Sequence, residues 1–100
     1  MATLHLLSHS PFTDGRLASC LRLLVAGDAL LLCGDAVYAL RDGTDQRYAL
    51  QSMPDDIGLY ALEEDLAARA LDALPTRVLT VDYADFVELC CRYERTNSWL

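Results

Sequence analysis

Four cysteines, two histidines and a scatter of acidic residues are the side chains of this sequence that could do chemistry. Cys20, Cys33, Cys90 and Cys91 contain no C-x-x-C pair. Cys90 and Cys91 are neighbours, and on a helix neighbours project about 100° apart, so they cannot form a redox pair or a metal clamp with each other. Cys20 falls at helical spacing with Leu17, Leu21 and Leu24, on a stripe expected to be buried, where a free thiol behaves as a small hydrophobe. Cys33 closes an apolar run at the kind of strand end where α/β sites are built, although the neighbouring Asp35 would oppose its thiolate. His5 and His9 stand four apart, but on a strand and its exit loop that spacing does not put two ligands on one face. Hydrogen-bonding histidines are expected, and no metal site. Ser8-His9-Ser10 makes no nucleophile and base pair, because adjacent residues of an extended chain point to opposite sides. No strand is followed by G-x-G-x-x-G or G-x-x-x-x-G-K-[ST], so no nucleotide or other cofactor is expected.

Four apolar segments position these residues: Leu4 to Leu7, Ala29 to Cys33, Ile57 to Leu62 and Val78 to Val81. Leu30-Leu31-Leu32 reads as a strand covered on both faces of a parallel sheet. Pro11 and then Asp14, as an N-cap, open the first helix after the first strand, and Gly27-Asp28 closes the helical unit. A short helix over Ala36 to Leu40 leads into a turn-rich surface excursion, Arg41-Asp42-Gly43-Thr44-Asp45. Glu63-Glu64-Asp65 suits a helix N-terminus, since three acids face its positive dipole end, and Pro75 is expected to stop that helix. Asp82 or Asp85 would cap a last helix carrying Phe86, Leu89, Cys90 and Tyr93 on one face, and the chain finishes in a tail at Trp99-Leu100. This alternation predicts one α/β domain over residues 1–100, a small three-layer α/β/α sandwich with a central parallel sheet and a flavodoxin-like strand order.

The 100 residues are 53% hydrophobic and 23% charged, which excludes a disordered or low-complexity chain. The formal charge is −7, and all eight cations are Arg. Direct nucleic-acid binding is therefore not expected. The N-terminus lacks a basic region ahead of an apolar core, no apolar run approaches the roughly 20 residues of a membrane span, and nothing indicates an oxidising compartment. A cytoplasmic protein with free thiols and no membrane contact is expected. Leu23, Tyr38, Tyr48, Tyr60 and Trp99 have no evident place inside so small a domain and point to an interface, where aromatics and Arg are enriched.

Taken in order along the chain, Leu4-His5, Ser10-Pro11-Phe12, Leu21-Arg22-Leu23-Leu24, Gly27-Asp28, Asp35-Ala36-Val37-Tyr38, Tyr60 to Leu66, Val81 to Val87 and Trp99 resemble the DsrEFH-like sulfur relay family, in its TusB/DsrH branch. The resemblance implies a cytosolic subunit that joins TusC-like and TusD-like homologues in a heterohexamer with two copies of each. Such complexes pass persulfide sulfur from a small docking sulfur-carrier protein toward 2-thiolation of the tRNA wobble uridine. The TusB-like member typically lacks the catalytic cysteine, which implies an assembly role. DsrH-type members of sulfur-oxidising systems often carry a cysteine in a segment like Ala18-Ser19-Cys20-Leu21. The resemblance thus nominates Cys20 as a persulfide carrier in an alternative, transferase reading.

Overall fold

A computed structural model describes residues 2–99. Five parallel strands form one sheet: β1 (Thr3–Leu7), β2 (Ala29–Leu32), β3 (Gly58–Leu62), β4 (Leu79–Val81) and β5 (Arg95–Trp99). They are joined by α1 (Arg16–Leu23), a 3-10 helix (Gly34–Leu40), α2 (Asp45–Gln51), α3 (Glu63–Ala68) and α4 (Tyr83–Arg92). The strand order is β4-β3-β2-β1-β5. The three-layer α/β class holds, while this order departs from the flavodoxin pattern 2-1-3-4-5 because β5 joins the free side of β1.

Alternation along the strands divides the core in two. Leu7, Leu30, Leu32, Leu59 and Ala61 face α1, the 3-10 helix, α2 and α3, whereas Leu4, Ala29, Leu31, Leu62 and Val81 face α4. All four residues of β2 are buried, as its unbroken apolar run requires of a central parallel strand. One helix alone covers the second face. It leaves β4 at one edge and its chain pairs with β1 at the other.

Several expected boundaries move. Gly15 stands at the N-cap of α1, and Asp14 instead accepts the Arg16 amide at 3.0 Å. The excursion after Leu40 contains α2, opened by Thr44, whose hydroxyl accepts the Arg47 amide, and anchored by buried Leu50. The helix after β3 ends at Ala68, well before Pro75, where Arg69 and then Ala70, at φ +53°, leave helical geometry. Leu71 and Leu74 still pack on the core, from irregular chain. The last helix has the expected cap in doubled form, since Asp82 and Asp85 satisfy each other's backbone amides in a capping box. The expected tail at Trp99 is strand β5.

Three arginines hold irregular chain in place. Arg77 donates to the carbonyls of Met53, Pro54 and Ile57, the last at 2.8 Å, and Arg47 donates to those of Leu40 and Ala73. Arg69 pairs with Asp35 at 2.9 Å and lies with Arg41 against the Tyr38 ring. A guanidinium presents its donors in a planar fork that an ammonium lacks, which gives these positions a reason to be Arg.

Candidate functional site

The strand ends gather Ser8 and His9 after β1, Cys33-Gly34-Asp35 after β2, Glu63 to Asp65 after β3 and Asp82 after β4. Cys33 is half-buried there. Its amide donates to the Leu7 carbonyl at 2.9 Å and its thiol lies 3.5 Å from the same oxygen, so the side chain turns back toward β1. Burial pushes the Cys33 thiol above its ordinary pKa, and the Asp65 carboxylate adds to the effect. The opposing acid is therefore Asp65 and not the sequence neighbour Asp35, which is engaged with Arg69. Asp65 also accepts the Gly34 amide at 2.7 Å, fixing the turn that follows β2. Gly34 has φ +51°, and a Cβ there would sit 3.1 Å from the Ser8 carbonyl oxygen, so both backbone conformation and tight space favour glycine. The aspartates at this edge are thus committed to internal partners, Asp65 to Gly34 and Arg69, Asp82 to the α4 cap and Asp35 to Arg69, while Glu63 and Glu64 stay exposed.

Cys20 lies on the inner face of α1, fully buried at 0% exposure and clustered with Leu17. Burial, with a further contribution from the Asp28 carboxylate, raises its thiol to about 12. At neutral pH it carries a proton and has no path to a reactant in this conformation. The structure therefore does not bring the two candidate thiols into one site: Cys33 is at the strand ends, and Cys20 is on the inner face of α1, sensing the charge of Asp28 just before β2. Cys90 is partly buried under α4 and Cys91 is exposed.

His5 and Asp28, which sequence spacing leaves unconnected, meet in the interior. His5 Nε2 lies 3.4 Å from the Asp28 carboxylate, and the Trp99 indole Nε1–H donates to His5 Nδ1 at 3.1 Å. Asp28 also accepts the Thr3 amide at 2.9 Å and the Val25 amide at 3.1 Å. Burial pushes its carboxyl up, but these two amides and His5 outweigh that and hold it below the usual carboxylate value. Trp99 is thus tied to the core while remaining partly exposed. Tyr60 packs toward α4, and Tyr38 lies under two guanidiniums, while Leu23 and Tyr48 stay exposed as expected. A hollow of about 460 Å³ between α1 and α2 is lined by Leu21, Leu24, Met53 and Ile57, with a second of about 210 Å³ beside it. Neither contains a cysteine.

A family model described as DsrH like protein matches residues 9–96. The chain belongs to the DsrH-like family. It is 44% identical over 97 residues to Protein TusB of Erwinia tasmaniensis and 42% identical over 98 residues to Protein TusB of Escherichia coli, covering 96% of this chain and 99% of each relative. Among solved structures, the ychN protein of E. coli superposes with a TM-score of 0.78 at 18% identity, covering 99% of this chain and all of that one. MTH1491 of Methanobacterium thermoautotrophicum superposes with a TM-score of 0.69 at 14% identity, covering 94% and 95% of the two chains. These two likenesses establish the DsrH-like chain's fold alone. Among the described residues, no helix is long and apolar enough to cross a membrane.

Proposed function

We propose that this DsrH-like chain is a subunit of a cytoplasmic, TusBCD-like sulfur relay that passes persulfide sulfur toward 2-thiolation of the tRNA wobble uridine, and that its own role is assembly and not sulfur transfer. The observation that carries this reading is the likeness to TusB proteins over nearly the full length of both chains. Two features of the structure support the non-catalytic part. Cys20, the thiol that the DsrH resemblance nominates, is fully buried and protonated, and Cys33 is turned onto the Leu7 carbonyl beside a carboxylate. In this reading the chain completes a heterohexamer with two TusC-like and two TusD-like subunits and a second copy of itself, on which a small sulfur-carrier protein docks. The acidic charge of −7 assigns contact with tRNA to a partner.

The test is a native pull-down of the tagged protein from its host, combined with a Cys20→Ser variant assayed for cellular 2-thiouridine. Recovery of two small homologous subunits in equal amounts, with thiolation intact in the variant, is the expected result. Recovery of the chain alone overturns the assembly. Loss of thiolation with the complex intact transfers the role to Cys20 as a persulfide carrier, formed and discharged by thiol exchange.

A further inference from the structure

We infer that His5 is a proton-operated latch on the last strand, holding β5 against β1 through Trp99 when its ring is neutral and releasing it when the ring takes a second proton. The geometry of donors and acceptors carries this. An indole Nε1–H can only donate, so the 3.1 Å bond to His5 Nδ1 requires that nitrogen to be unprotonated. A neutral ring then has its proton on Nε2, which lies toward the Asp28 carboxylate at 3.4 Å. Both ring nitrogens are thus engaged, at a residue only 5% exposed, and one tautomer alone satisfies them. Adding the second proton places Nδ1–H against Nε1–H. The Asp28 contact survives that change and the Trp99 contact does not.

The consequence falls on β5 because, beyond its five-residue ladder with β1, its side chains add little to hold it. Its first four residues are exposed, it pairs on one side only, and Trp99 is the member of the strand that packs on the core. The titratable groups around His5 with shifted values each keep one state between about pH 8 and 5. Asp28, from the loop before β2, is held below the usual carboxylate value. Cys20 of α1 and Tyr93 at the end of α4, both of which sense Asp28, are raised to about 12. The guanidinium of Arg95 stands on β5 opposite Thr3.

The chain has one tryptophan and two histidines, so the test can be read cleanly. Nitrogen-15 spectra of the ring should show the Nε2–H tautomer for His5 at pH 7.5, and the Trp99 indole proton should shift as His5 titrates. Amide exchange in residues 95–99, compared with His5→Gln at the same pH, should be equally protected at pH 7.5 and lose roughly tenfold of its protection at pH 5.5, the effect of stranding a buried donor. His9→Gln should follow the wild type. If His5→Gln does not fold, Trp99→Phe serves instead: it keeps an aromatic side chain, removes the donor and should show no pH-dependent loss. A His5 ring protonated on Nδ1, or β5 protection that follows one pH course in wild type and variants, overturns the latch.

Discussion

Two cysteines, both carried on helices, acquire different reactivities from their surroundings. Cys20 has no exposed surface, a thiol at about 12 and a buried carboxylate nearby, whereas Cys91 lies open on the outer side of α4. With iodoacetamide at pH 8, followed by mass spectrometry, Cys91 should label first and Cys20 only at the rate of unfolding. Labelling of Cys20 as fast as Cys91 would reveal an open conformation and revive its candidacy as a carrier. Asp28 permits a second prediction. Its folded pKa is depressed, so the stability it contributes is present above the unfolded value of about 3.9 and is lost as pH falls through the folded one. Asp28→Asn should cost about 2 kcal/mol at pH 7 in denaturant titrations and have a shallower decline below about pH 4 than the wild type. An acid limb as steep as before would remove Asp28 from its cause. The burial of Cys20 was readable from the Leu17, Leu21, Leu24 spacing. The meeting of His5, Asp28 and Trp99 was not, because it joins residues 23 and 94 positions apart. Nor could a linear reading show that Asp65, 32 positions on, faces Cys33 in place of Asp35.

At the scale of elements, strands with continuous apolar runs were evident from sequence, and those held by other means were not. β5 reads Arg-Thr-Asn-Ser-Trp, a polar edge strand with only its last side chain on the core, so no alternation announces it. α2 spans seven residues in a stretch rich in turn formers, too short to be stable through propensity, and depends on the Thr44 cap and the burial of Leu50. α3 stops early because Arg69 turns to Asp35 and Ala70 adopts φ +53°, an event with no proline or glycine to mark it. The eight arginines, read as an interface signal, are in several cases internal ties. Arg77→Lys should therefore destabilise the fold by about 1–2 kcal/mol, because one ammonium cannot serve the Met53, Pro54 and Ile57 carbonyls in the same plane. Equal denaturation midpoints for the two proteins would show that the fork geometry is dispensable. Gly34→Ala should cost about 1–3 kcal/mol, combining positive φ with a Cβ against the Ser8 carbonyl, and thermal unfolding measures it. A neutral result there would mean that the turn after β2 can shift.

The whole molecule is unevenly covered. Four helical segments shield one face of the sheet and α4 alone shields the other, and apolar side chains remain exposed on each: Leu23, Val25 and Tyr48 around α1 and α2, and Leu79, Tyr83 and Val87 around β4 and α4. A subunit that works only within an assembly has a physical use for such residues, since burial against partners returns roughly 25 cal/mol for each Å² of apolar area. The two groups contain one strongly exposed tyrosine each, at 72% for Tyr48 and 52% for Tyr83. Oxidative footprinting of the isolated chain and of the co-purified complex can therefore distinguish the faces. On the assembly reading, at least one of these tyrosines becomes severalfold less reactive in the complex, and the one that does marks the face on which a partner sits. Unchanged reactivity at both, in material that demonstrably contains the partner subunits, would place the contacts elsewhere and leave the edge strands β4 and β5 as the surfaces through which this chain joins its assembly.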